Sequence, residues 1–347
     1  MKAEYDLAKI KPQKNPYAEN TKTKENSMYL LTVKKTLMAA SVAVAVLASS
    51  VVMAAAPMAK TSAPGFFRVM LGDFEVTAIS DGTVDLPVDK LLQEPAEKTN
   101  HALANVFLSA PLETSVNAFV INTGKKLVLI DTGAGALFGP TLGKLVANLK
   151  ASGYEPSQID DIFITHMHPD HVGGLVSNGA LVFPNAIVHA DQHDVDYWLS
   201  QANLDNAPAD AKGMHQGAMA SINPYVAAKK MMAFKGDTEF MPGIKASVSY
   251  GHTLGHTNYL VESKGQKLLL IGDLIHVAAV QLEHPEVTIQ FDTHQKDAAK
   301  TRSKVFTQAA KDGVLIGAAH LQFPGLGHLK KNKKSYTWIP VNYTQMR

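Results

Sequence analysis

Residues 164–174, ITHMHPDHVGG, place His166, His168, Asp170 and His171 within six positions. Imidazoles and carboxylates are nitrogen and oxygen donors to divalent cations, and imidazoles carry protons near neutral pH. Three more such groups stand where apolar stretches stop: His252 after Tyr250, Asp273 after Ile271, and His320 after Ala319. A lone histidine is ordinarily a hydrogen-bonded polar group. Several unpaired histidines and aspartates crowded together would cost free energy without a cation to neutralise and orient them. The chain has no cysteine, which removes thiolate ligands, disulfides and cysteine nucleophiles together. The pattern therefore points to a metal site of nitrogen and oxygen donors, with up to seven ligands: His166, His168, Asp170, His171, His252, Asp273 and His320.

Four strand ends would have to converge to build that site. Residues 116–133 read as two strands joined at Gly124-Lys125-Lys126, the second a buried run ending at Asp131. A strand at 159–166 delivers His166, and "AIVHA" is another, followed by a helix begun at Asp191. Strands at 244–252, 257–263, 267–273 and 314–320 follow. A helix at 295–312 ends at Gly313. Residues 74–87 read as the start of a hairpin, 142–149 as a helix, 201–213 as a polar loop, and 213–232 as a helix interrupted near Pro224. Strands that alternate with helices in two similar halves give a layered α/β sandwich. Ligand sites in such folds collect where strands end.

The whole chain has 347 residues, 46% of them hydrophobic and 18% charged, with a net charge of +2. That composition suits a globular core and gives no basis for a nucleic-acid partner. Residues 1–27 are polar and lysine-rich and read as an upstream extension. Met28, the pair Lys34-Lys35, an apolar run and the Val52-x-Ala54 site read as a signal peptide over residues 28–54. Its cleavage would leave a periplasmic or secreted protein with one domain over residues 65–347 and no stable membrane association. An uncleaved membrane anchor is the competing reading of the same run.

The motif HxHxDH, Asp131-Thr132-Gly133 before it, and "GHTLGHT", Gly272-Asp273 and a late histidine after it resemble the metallo-β-lactamase superfamily. The resemblance implies an αββα four-layer sandwich in a single domain, holding two divalent metal ions, most simply zinc. His166, His168 and His252 would bind the first ion. Asp170, His171 and His320 would bind the second, and Asp273 would bridge them. It also implies that Asp131 and His256 stand behind the ligands, Asp131 orienting a ligand histidine or its loop. As a bare sequence feature Asp131 is equally a turn residue. Two cations about 3.5–4 Å apart can share a water and acidify it toward neutrality, and the resulting hydroxide attacks an electrophilic carbon or phosphorus. Asp170, Asp273 and the nearby His276 would then form the catalytic group.

Longer stretches are similar to the branch of methyl parathion hydrolase and the periplasmic lactonases and arylesterases: "ETSVNAFVINTGKKLVLIDTGAG", "GDLIHVAAVQ" and "AAHLQFPGLGHL". That similarity implies hydrolysis of a small-molecule aryl ester, lactone or phosphotriester with an apolar body. The acyl-homoserine lactonases carry Tyr three residues beyond the bridging Asp, and here that position is His276, a candidate donor to substrate or leaving group. Phe107, Trp198 and Phe323 are candidate walls of an apolar pocket. A β-lactamase, a glyoxalase II-like thioester hydrolase and an inactive binding module are the alternatives. Lysines 330, 331, 333 and 334 read as a solvated surface loop. The sequence leaves a homodimer open.

Overall fold

A computed structural model describes residues 56–345, so the expected extension and signal peptide lie outside the described residues. Two seven-stranded sheets form the centre of residues 62–345. The first runs β1 (Phe66–Leu71), β2 (Phe74–Leu86), β3 (Leu112–Asn122), β4 (Leu127–Ile130), β5 (Asp161–Phe163), β8 (Ile187–Asp191) and β9 (Met231–Phe234). The second runs β10 (Thr238–Met241), β11 (Ile244–Val248), β12 (Thr257–Ser263), β13 (Gln266–Leu270), β14 (Leu315–Gly317), β15 (Leu326–Asn332) and β16 (Ser335–Pro340). A small hairpin, β6 (Val176–Ser177) with β7 (Ala180–Leu181), lies apart from both.

Side-chain alternation along the strands produces the layers. On β3 and β4, Ala118, Val120, Leu127 and Leu129 face outward into one core, where helices cover them. Those helices are α3 (Leu145–Ala151), α5 (Gln192–Trp198) and α7 (Lys212–Ala227), through Leu145, Leu149, Trp198, Ala218, Ile222 and Tyr225. Their neighbours Phe119, Ile121, Val128 and Ile130 face inward and meet Ile244, Tyr259, Val261, Leu268 and Leu270 of the second sheet. On the far side, α9 (Gln295–Asp312) lays Phe306 and Ala309 against Ile316 and Leu329. The order helix, sheet, sheet, helix is the expected αββα sandwich. Strands buried on both faces must be apolar throughout, which is why β4 reads LVLI. Shorter helices sit in connections: α1 (Val88–Leu91), α2 (Ala96–Ala104), α4 (Pro169–Val172), α6 (Gln201–Asn206) and α8 (Ala278–Gln281). Among the described residues no helix is long and apolar enough to cross a membrane.

Three local expectations are corrected. Residues 74–86 form one 13-residue strand rather than a hairpin start, with the register shifting between Ser80 and Gly82. The bulged residue is Asp81, whose buried carboxylate accepts the Ala134, Gly143 and Leu145 amides at 2.9, 3.0 and 3.0 Å and so anchors the loop after β4. The polar stretch after Ser200 contains α6, because the Ser200 hydroxyl caps it by accepting the Asn203 amide at 3.3 Å. Lys330 and Lys331 belong to strand β15, and Lys333 supplies the left-handed turn into β16.

Candidate metal centre

Parallel pairing aligns β4 with β5, β5 with β8, and β13 with β14, so their carboxyl ends fall together. Asp131 follows β4 and His166 follows β5. Gly272-Asp273 follows β13 and His320 follows β14. All seven expected ligands meet there in two groups. One is His166, His168, His252 and Asp273; the other is Asp170, His171, His320 and Asp273. Within each group the donor atoms lie within 4.8 Å of one another, and Asp273 is common to both. His166, His168, His171, His252, Asp273 and His320 are buried, while Asp170 is partly open.

Four of the five expected imidazole ligands are turned by a partner on the outer edge. His171 donates from Nδ1 to Asp131 Oδ2 at 2.9 Å, and Asp131 also accepts the Thr165 amide and hydroxyl at 2.8 Å each. The Thr165 hydroxyl lies 3.1 Å from His166 Nδ1. Asp131 has a left-handed backbone, φ 59°, which an aspartate tolerates better than most residues. His252 donates from Nδ1 to Asp292 Oδ1 at 2.8 Å, and His320 from Nδ1 to the Ser115 carbonyl at 2.9 Å. The Nε2 atoms of these four histidines are thereby left facing the centre.

The inward atoms form a set that fits a cation. His166 Nε2, His171 Nε2 and Asp273 Oδ1 are buried without a hydrogen bond, although His171 Nε2 lies 3.1 Å from Asp273 Oδ1. His252 Nε2 and His168 Nδ1 are 3.1 Å apart. Buried polar atoms are rarely left this way, and divalent ions would satisfy them. Burial and the neighbouring imidazoles hold His166 and His168 well below the ordinary histidine range, so they offer neutral lone pairs. Burial alone would lower His252 as well, but Asp273 and Asp292 raise it to about 9. A cation would replace that proton. The donor set fits divalent metal ions: nitrogen and oxygen, buried, and oriented.

Asp131 and His256 are placed behind the ligands. His256 Nε2 accepts the Asp273 amide at 3.0 Å, while its Nδ1 lies 2.7 Å from the Ser249 hydroxyl, which donates to Asn258 at 3.0 Å. Burial, then the His252 charge, pushes His256 down to about 3, so it stays the neutral acceptor that Asp273 requires. The sequence reading missed Asp194, in the first turn of α5. Its carboxylate accepts the Met167 amide at 2.9 Å, the Thr253 hydroxyl at 2.9 Å and the Gly255 amide at 2.6 Å. It thus ties the loop of His166 and His168 to the loop of His252. It also missed Asp292 and Arg302, which lie far from the motifs in sequence.

A cavity of about 140 Å³ opens on the centre. His168, Asp170, Asp273 and His320 face it, with walls of Val84, Leu86, Phe138, Leu142, Met214 and Phe291. His276 also lines it, with Nε2 3.1 Å from Asp273 Oδ2. The three expected wall aromatics are not among its lining residues. Phe107 is 98% exposed at the turn after α2. Trp198 is buried behind His168, ring centroids 5.1 Å apart, in the core under α5 and α7. Phe323 packs against the inter-sheet core. Aromatics near ligands in sequence can point away from them, and the true aromatic walls, Phe138 and Phe291, come from loops with no ligand of their own.

The model of the metallo-beta-lactamase superfamily matches residues 112–320, more than half of the chain. A solved structure described as hydrolase AbOPH in the beta lactamase superfamily is 36% identical, with a TM-score of 0.78 over 82% of this chain and 100% of that one. AidC, a dizinc quorum-quenching lactonase in complex with a product, is 26% identical with a TM-score of 0.75, over 81% of this chain and 99% of that one. An N-acyl homoserine lactonase from a Bacillus species is 28% identical over 54% of this chain and 76% of its own length. The chain belongs to the metallo-beta-lactamase superfamily. Within it, the chain is a metal-dependent hydrolase.

Proposed function

We propose that the chain holds two divalent ions, most simply zinc, and hydrolyses neutral esters and lactones that carry an apolar body. His166, His168 and His252 would hold one ion, Asp170, His171 and His320 the other, and Asp273 both. When bound, such a pair supplies a water deprotonated near neutral pH and a Lewis acid for the oxygen that gains charge. Asp273 is kept ionised for that task. Burial opposes its charge, but His171, His320, His166 and His276 outweigh burial and hold its carboxyl well below the usual range. His256 fixes its backbone and leaves its carboxylate free to face inward.

The observation that carries the substrate reading is the cavity wall. Val84, Leu86, Phe138, Leu142, Met214 and Phe291 surround the centre, and among the described residues no lysine or arginine lines it. A penicillin, a glutathione thioester or a phosphomonoester would bring an anion that these side chains cannot pair. A neutral ester, lactone or phosphotriester brings only its polarised C=O or P=O. The likeness to lactonases and to a structure described as hydrolase AbOPH supports the same class. His276 is the one polar lining residue outside the seven, and we assign it a hydrogen bond to the substrate or departing oxygen. A planar ester forms one localised oxyanion, whereas a phosphotriester must also fit three groups around phosphorus. Esters and lactones are therefore expected to turn over faster.

A hydrolysis panel on zinc-loaded protein tests this: γ- and δ-lactones, p-nitrophenyl esters, methyl paraoxon, a penicillin and a cephalosporin. Turnover of lactones and aryl esters above the phosphotriester is expected. Good β-lactam hydrolysis with every ester untouched would reject the substrate reading and leave the metal reading standing.

A further inference from the structure

His252 differs from the other outward-braced histidines because a buried arginine stands behind its brace. Asp292 Oδ1 accepts the His252 Nδ1 proton, while Oδ2 accepts the Ile289 amide at 3.1 Å and lies 3.7 Å from Arg302 Nη2. Both residues are buried, Arg302 completely. An arginine without water must place its N–H groups on protein acceptors. Arg302 Nε donates to the Leu274 carbonyl, and Nη1 donates to the carbonyls of Pro285 and Val287 at 2.9 and 2.7 Å. Leu274 directly follows Asp273, the residue common to both donor groups. Pro285 and Val287 close the segment that carries His276 and α8. One guanidinium therefore touches both the segment presenting Asp273 and the carboxylate holding His252.

The helix that carries Arg302 also contacts the approach to His252. The Thr301 hydroxyl donates to the Tyr250 carbonyl at 2.9 Å. In addition, the Thr293 amide, just before α9, donates to the His252 carbonyl at 2.8 Å. Neither Asp292 nor Arg302 is among the residues lining the reaction cavity. Substituting them would act on the ligands rather than on substrate.

We infer that Asp292 and Arg302 are positioning residues for the His166, His168, His252 and Asp273 group, acting through His252 and Asp273. Asp292 fixes His252 with Nε2 inward, and Arg302 fixes the Asp273 segment against Asp292. The other donor group is braced independently, by Asp131 and the Ser115 carbonyl. Loss of Asp292 should therefore weaken one ion selectively, and loss of the Arg302 fork, which also reaches the shared Asp273 segment, should weaken that ion more than the other. This inference rests on the two-ion reading.

The test is a zinc titration of metal-depleted protein against a competing chelator, for the wild type, Asp292→Asn, Arg302→Lys and His252→Ala. Two steps in the wild type are required by the two-ion reading, and fewer would reject that reading itself. Given two steps, Asp292→Asn should weaken one of them about 10–100-fold and the other no more than about threefold. The weakened step should be the one that His252→Ala removes. Arg302→Lys keeps the charge but loses the fork that reaches three carbonyls, and should weaken the same step more than the other. It carries the test alone if Asp292→Asn does not fold. Equal weakening of both steps would overturn the inference. So would two unchanged steps with only the melting temperature of the metal-depleted protein lowered, because that is what a purely structural buried pair predicts.

Discussion

Removing the Asp194 carboxylate should separate the two loops that carry His166, His168 and His252. In Asp194→Ala the amides of Met167 and Gly255 and the hydroxyl of Thr253 lose the acceptor they have among the described residues, in a site that is 1% exposed. Leaving a buried donor unsatisfied costs about 1–3 kcal/mol, so the three together amount to roughly 3–6 kcal/mol after partial relaxation. That is a large share of the roughly 5–15 kcal/mol that holds a typical domain. Asp194→Asn keeps the shape and one acceptor. With its oxygen at the Oδ2 position it still serves Met167 and Thr253, and only the Gly255 amide faces an NH₂ group. Its cost should be about 1–3 kcal/mol. Urea unfolding of metal-depleted protein measures both, and zinc titration of the same samples should show the His166/His168/His252 step weakened in the order Ala, then Asn. An Ala variant within about 0.5 kcal/mol of the wild type, or an Asn variant as costly as Ala, would refute the reasoning.

Other outcomes follow from the same geometry. Burial, against its three donors, raises Asp194 to about 6, so its protonated form favours the folded state. The stability it contributes is present below the ordinary carboxylate value and is lost as pH rises through about 6. In metal-depleted protein the gap between wild type and Asp194→Asn should therefore narrow from pH 4 to pH 7, as read by urea unfolding at each pH. Gly272→Ala would put a Cβ 2.7 Å from His256 Nε2 at a residue with φ 48°, so metal affinity should fall about 10–100-fold in chelator competition. Phe107→Ser, at a fully exposed turn outside the cavity, should leave kcat/KM for aryl esters unchanged, whereas Phe138→Ala should raise KM. His276→Phe should lower kcat by roughly ten- to a hundredfold, and an unchanged rate would return it to a plain packing role.

The layers and the ligands were legible because both are written locally. The apolar runs of β3 and β4 announce strands buried on two faces, and all seven expected ligands crowd into HxHxDH or close behind an apolar run. The braces were not legible. Asp194 lies 27 residues from the amide of Met167, and Asp292 lies 40 from His252, so nothing in the neighbourhood of either announces its partner. A faint signal existed at Asp194, a carboxylate sharing the buried face of α5 with Trp198 four residues on. Cavity walls were the least legible part. Phe138 and Phe291 stand in irregular loops whose course is set by anchors such as Asp81, and Phe107, nearer to expectation in type, points into solvent.

Asp273 is proposed to stand between two divalent ions, both of them needed for ester hydrolysis. Titrating zinc into metal-depleted protein, with the aryl esterase rate and bound metal measured on each sample, tests it most directly. The rate should reach its plateau only as about two ions per chain are bound, and Asp273→Ala should neither retain two ions nor recover the rate. A full rate in metal-depleted protein, a plateau at one ion, or two ions and full activity in Asp273→Ala would contradict it.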